Sequence, residues 1–226
     1  MRSRPVLVAL LLIPVLTTID RPAGAQEQVK PSAPRLRAGG QAPLASPMVV
    51  GGGEVVLDVT VGTGGRVSKV NVVRATPPYT DLVSGAVKGW QFEAAQAAVK
   101  GALQPAEGHV LVVAVYRPPQ VYAGPAPGVA TAVVGQPSAE LPAPGALTMP
   151  ASYPPRATRD GTVLVEIELT AAGVPAGHRV LSQPSSFDSA ALDTVRGWRF
   201  GFPSEPTGAS QLFVYALVGF REPITQ

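Results

Sequence analysis

The sequence predicts an α+β protein made of two tandem ββαβ domains, each a three-stranded antiparallel sheet with one helix packed on a face. Three observations lead there. Residues 53–92 align with 161–200 without a gap, identical at Gly53/Gly161, Val55/Val163, Gly65/Gly173, Val72/Val180, Val87/Val195, Gly89/Gly197, Trp90/Trp198 and Phe92/Phe200; a fixed-offset repeat of this kind marks a duplicated unit. Both tryptophans of the chain fall at the same place in it. Within each copy the apolar period changes from two to that of a helix and back, which orders the elements as strand, strand, helix, strand.

Each copy opens with alternation. Val55, Leu57, Val59 and Val61 share one face of 54–61, and Val163, Val165, Ile167 and Leu169 one face of 162–169. The opposite faces carry Glu54, Asp58, Thr60 and Glu166, Glu168, so a half-buried strand with one wet face is expected. Glycine-bearing turns follow at 62–65 and 170–173, then second extended runs at 66–73 and 174–181, giving hairpins. Leu82, Val83, Ala86, Val87 and Trp90 then recur at helical spacing, as do Ala190, Ala191, Thr194, Val195 and Trp198. Thr80 and Asp188 stand where a helix N-cap is expected. Trp90 with Phe92, and Trp198 with Phe200, are large enough to serve as structural core. Last strands are expected at 109–117 and 211–220.

The organisation reads as a signal peptide at 1–25, a flexible linker at 26–47, a first domain at 48–118, a Pro/Gly-rich linker at 119–146 and a second domain at 147–226. Arg2 and Arg4, an apolar run to Ile19 and the small residues Ala23-Gly24-Ala25 form a secretory signal pattern. Export to the periplasm is the expectation; the alternative is an uncleaved inner-membrane anchor facing the periplasm. The chain has no cysteine, which excludes disulfides and N-terminal Cys lipidation.

The residue inventory also limits function. Lys and Arg are scattered singly and the net charge is +3, so no basic stripe for nucleic acid is present. The two histidines, His109 and His178, lie at non-equivalent positions with too few nearby ligands for zinc. Asp188 with Asp193, and Glu166 with Glu168, have cap and strand-face explanations, and no nucleotide or hydrolase motif occurs. No catalytic residue, cofactor or metal is expected.

The second copy resembles the C-terminal domain of the TonB family. The likeness is carried by Tyr153-Pro154 with Ala157, Gly161, Gly173, Phe187-Asp188, Ala190-Ala191 and Val195-Arg196-Gly197-Trp198-Arg199-Phe200. The first copy keeps the glycines, hairpin, helix and Trp90-Gln91-Phe92 without the Tyr-Pro start. The resemblance implies a periplasmic module that binds an outer-membrane transporter or other envelope protein by adding a short segment of it to its sheet. Residues 26–52 reach only about 85 Å even in polyproline form, short for energy transduction across the periplasm, so a peptide-binding adaptor is the first reading and an energy-transducing component the second. A structural envelope protein with self-pairing domains, or a homodimer, is the third.

The expected peptide-binding strands are Leu212, Phe213, Val214, Tyr215, Ala216 and Leu217, with Val110, Val112, Ala114 and Tyr116 in the first copy. Both runs are apolar on both faces. Each is therefore a buried middle strand, an edge that receives a ligand, or a strand paired with the other copy.

Overall fold

A computed structural model describes residues 30–49, 51–119, 131–150, 152–170, 173–202 and 212–223. The expected signal peptide or anchor lies outside the described residues. Among those described, no helix is long and apolar enough to cross a membrane.

In chain order the first half contains β1 (Arg35–Ala38), β2 (Gly53–Val61), β3 (Val67–Ala75), α1 (Tyr79–Lys88), β4 (Gln91–Glu93), β5 (Ala95–Val99), β6 (Ala102–Ala106) and β7 (Gly108–Tyr116). The second half adds β8 (Ala132–Val133), β9 (Ala143–Pro144), β10 (Gly161–Leu169), β11 (Pro175–Val180), α2 (Asp188–Arg196), β12 (Phe200–Gly201) and β13 (Leu212–Phe220). The mixed α+β class and the ββαβ order of each copy are present. The β5–β6 hairpin is an elaboration of the first half.

The two copies are not separate domains. One seven-stranded sheet runs β11-β10-β13-β7-β2-β3-β8 through both. Neighbours pair antiparallel except at the centre, where the last strands β13 and β7 run parallel, with Val214 opposite Leu111 and Gly219 opposite Tyr116. Two like units joined by parallel strands are related by a rotation about an axis along those strands, and that operation exchanges the faces of the sheet. Hence α1 packs on one face and α2 on the other.

Two cores follow, one per face, and each draws on both copies. On the α1 face, Val55, Leu57, Val83, Val87, Trp90 and Phe92 join Leu164, Tyr215 and Leu217 from the second half. On the α2 face, Val163, Ile167, Val195, Trp198 and Phe200 join Val56, Leu111 and Val113 from the first. The expected wet faces are therefore covered. Asp58 and Glu166 are buried at 5% and 4% exposure because the other copy lies over them.

The segments expected as linkers do the covering. Strand β1 pairs with β4 and β9 with β12, so each copy's lead-in folds back on the strand that follows its own helix and crosses the other copy's half of the sheet. These straps are Pro-rich, and proline keeps its carbonyl while lacking an N–H. Side-chain donors satisfy those carbonyls: Tyr116 and Thr162 reach Pro43 O at 3.1 and 3.0 Å, and Arg74 reaches Pro144 O at 2.5 Å.

The turn glycines are required. Gly65 and Gly173 both have φ of 75°, and a Cβ on either would stand 2.0 Å from the carbonyl oxygen of Phe92 or Phe200. At the helix starts the caps differ from expectation. Pro78 and Phe187 occupy the cap positions, with no side-chain cap bond. Thr80 and Asp188 instead lie inside the first turns and accept from Thr76 N and Ser185 N, bracing the preceding loops.

Candidate protein-interaction edge

Strand β7 has β2 on one side and β13 on the other, and β13 lies between β7 and β10. Val110, Val112, Ala114 and Tyr116 are buried, as are Val214, Tyr215, Ala216 and Leu217, with Leu212 and Phe213 half-buried at the strand start. Both ladders of each strand are filled, so the expectation that these residues form a peptide-receiving edge is corrected: the copies use those edges on each other. Trp90, Phe92, Trp198 and Phe200 are all buried. They do not each close a private core. The Trp90 and Phe92 rings pack edge-on to Tyr215 of the second half, at centroid distances of 6.2 and 5.7 Å.

Polar clasps lock the straps down. Glu166 accepts from Arg35 at 2.9 Å and Arg179 at 3.0 Å, with the Tyr215 hydroxyl at 3.4 Å. The same hydroxyl accepts from Leu36 N at 2.7 Å. Burial pushes the Tyr215 phenol well above its ordinary range, and the hydrogen bond to Glu166 raises the Arg35 guanidinium further still. The equivalent acid, Asp58, meets His109 Nδ1 at 2.8 Å and accepts from Ser138 N at 2.9 Å. At the strand ends, Arg221 donates to Val49 O and Pro47 O and pairs with Asp160 at 2.8 Å. Its counterpart Arg117 donates to Pro150 O and has no carboxylate partner among the described residues; burial lowers its pKa.

With the centre filled, the available main-chain edges lie at the two ends of the sheet. At one end β3 already receives the chain's own segment: Arg74 and Ala75 oppose Val133 and Ala132, and Val134 N and Gly135 N donate to Val73 O at 3.0 and 3.2 Å. At the other end β11 pairs, among the described residues, with β10 only. Leu181 N donates to Leu164 O at 2.8 Å, and the register sets Glu166 opposite Arg179 and Glu168 opposite Gly177. Hydrogen-bonded pairs alternate along an antiparallel ladder, so residues 177 and 179 bond inward and the N–H and C=O groups of His178 and Val180 point outward; at Ala176 a bulge interrupts the alternation, with Leu169 opposite Pro175.

The side chains of β11 divide by face. Arg179 lies on the α1 face against Glu166 and is 55% exposed. His178 and Val180 lie on the α2 face, where Val180 packs on the core. Burial, then the nearby Arg196 charge, lowers the His178 pKa, and its Nε2 is buried without a hydrogen-bond partner.

Concave surface offers less. A hollow of about 280 Å³ lies between Thr148, Met149, Ser152 and the α2 residues Ala190, Asp193 and Thr194, and another of about 320 Å³ lies at Arg156–Arg159 beside Ser185 and Ser186. Among the described residues no group of three His, Cys, Asp or Glu is placed to hold a metal ion.

Sequence reasoning missed β11 as an open edge, both straps, and the burial of Asp58 and Glu166. One signal was present: a nine-residue strand apolar on both faces is the pattern of a sheet interior.

Residues 149–217 match the family model described as the Gram-negative bacterial TonB protein C-terminal. The match supports a TonB C-terminal domain in the second half, a periplasmic domain type with a protein-interaction role; the first half lies outside it. No curated protein and no solved structure matches the chain.

Proposed function

We propose that this chain is a non-catalytic, periplasm-facing adaptor that recognises an extended segment of an envelope protein by strand addition at β11. The observation carrying this reading is the unequal treatment of equivalent edges: β3 takes residues 132–135 as an added strand, while β11 is open along its length among the described residues. Strand addition supplies main-chain hydrogen bonds worth about 0.5–1.5 kcal/mol each. With so few outward-facing main-chain groups the affinity is micromolar or weaker.

The test is a titration of isotope-labelled chain with extended peptides from outer-membrane transporters. Saturable amide shifts at 178 and 180, with 110–116 and 212–217 unmoved, support the reading. Shifts centred on the hollow at Thr148–Thr194 instead, or no shifts with any peptide at millimolar concentration, remove it.

A second reading is a structural envelope protein whose domains satisfy each other. It is favoured by the central β7–β13 pair, which occupies the last strand of each copy. A chain that ignores every peptide yet keeps its fold and localises to the envelope fits this reading.

A further inference from the structure

We infer that the β3 edge is a second binding edge which residues 132–135 fill as a built-in placeholder, and that the ligand displacing them is an extended segment of another protein with two β-branched apolar residues followed by glycine. The site lies at the opposite end of the sheet from β11 and stands apart from the reading of that edge.

The placeholder is incomplete. Strand β3 is nine residues long, yet the chain's own segment pairs with it only at Arg74 and Ala75, and Val134 N and Gly135 N share the single acceptor Val73 O. Residues 67–72 carry no strand on their outer side among the described residues. The segment runs antiparallel to β3, so its continuation past Gly135 points along that open stretch. Pro137 stops it there. It has no N–H with which to extend a ladder, and the chain turns away to Ser138, whose N–H donates to Asp58.

Little holds the placeholder in its seat. Val133 and Val134 are 70% and 58% exposed, so seating them buries little apolar surface. The two side-chain ties are long: Asn71 Nδ2 donates to Gln136 O at 3.4 Å, and the Thr76 and Thr131 hydroxyls lie 3.3 Å apart. Ordering a residue costs about as much as one net hydrogen bond contributes, which leaves 132–135 close to balance between seated and free. Its departure does not carry off the rest of the strap. Leu141 and Pro144 are buried, and Asp58 keeps Ser138.

The seated residues also show what fits. A Cβ on Gly135 would stand 2.8 Å from Val72 O, so glycine is what allows the two backbones to come this close. Two valines precede it, as a strand at an edge favours. A segment of the pattern Ala-Val-Val-Gly without the proline repeats the placeholder's bonds and continues along 67–72. Its apparent affinity is set by the fraction of chains in which the edge is vacant.

The test uses the isotope-labelled full chain and a peptide, Ala-Val-Val-Gly-Thr-Val-Thr-Lys, that continues past glycine without proline. Saturable amide shifts at 67–75 are expected, with the signals of 132–135 moving to those of an unpaired segment. Val134→Pro removes one donor to Val73 O and should tighten peptide binding about tenfold by vacating the edge. Pro137→Thr lets the placeholder extend and should weaken binding by a similar factor. Neither side chain belongs to a core, so amide exchange in β2 and β7 should stay unchanged in both variants. A peptide with valine in place of its glycine should bind more weakly than the parent peptide. Shifts at 178 and 180 alone overturn the inference and leave the β11 reading standing, whereas shifts at 67–75 alone uphold it and count against β11. No shifts at either edge, with this peptide or with transporter peptides, in the parent chain and in Val134→Pro alike, overturn both. Binding at 67–75 that leaves 132–135 paired, or that ignores both substitutions, overturns the inference.

Discussion

Asp58 in the first half and Glu166 in the second occupy equivalent positions, and both are buried under the other half's strap. Equivalence extends along the whole shared boundary. Tyr79 stacks on Tyr116 at 4.4 Å, as Phe187 stacks on Phe220 at 5.0 Å. A Cβ on Gly53 or Gly161 would strike the ring of Tyr79 or Phe187. Away from the boundary the halves diverge: the first carries the β5–β6 hairpin and a covered β3 edge, while the second, among the described residues, leaves β11 open. The difference teaches where physical constraint sits. Positions that bury one half against the other admit few residues, whereas outer edges are free to differ and so to take separate roles.

The strongest way to break the comparison is to ask whether one half unfolds alone. Trp90→Ala leaves a large cavity on the α1 face and is expected to cost about 3–5 kcal/mol. Because Tyr215 and Leu217 share that core, hydrogen exchange should accelerate in β10 and β13 as well as in β2 and β7, in a single melting transition. Exchange confined to the first half shows two independent domains.

Gly65→Ala and Gly173→Ala sharpen the equivalence. Each forces a side chain onto a left-handed backbone, about 1–2 kcal/mol, and against a carbonyl oxygen, so each should cost at least about 2 kcal/mol in denaturant titrations, with the two values close. Glu166→Ala removes the acceptor of Arg35 and Arg179 and is expected to cost about 1.5–3 kcal/mol. Proteolysis within 30–49 should rise with it as the first strap loosens. The pair Arg221→Met and Arg117→Met separates the halves. The first leaves Asp160 without its cation and should cost about 1–2 kcal/mol; the second removes a buried charge with no carboxylate partner among the described residues and should be neutral or stabilising. The smallest effect concerns His178. Its folded pKa is lowered by burial and by Arg196, so the unfolded chain takes up the proton first as pH falls below about 6.5. Stability is full above that value and declines below it, and His178→Gln should flatten the decline in melts between pH 7 and 5.

The elements within each copy were legible because residue period reports which face of a strand or helix is apolar. Val55 to Val61 and Val163 to Leu169 show this plainly. Period does not report which strand lies beside which, so nothing in 109–117 or 211–220 distinguished a neighbour in the same copy from one in the other. The straps were illegible for a different reason. Pro43, Pro47, Pro144 and Pro150 contribute carbonyl acceptors rather than a repeating apolar face, and their donors Tyr116, Arg221, Arg74 and Arg117 lie far away in sequence.

The parallel contact between β7 and β13 also governs how the protein comes together. It joins residues 111–116 to 214–219, a long-range closure that slows folding and cannot form until β13 has been synthesised. A nascent or truncated chain ending before residue 212 leaves the apolar flank of β7 uncovered, a surface suited to aggregation or chaperone capture. The final nine-residue strand is thus the keystone of the sheet, and intermediates lacking it should be the ones that a cell must shield.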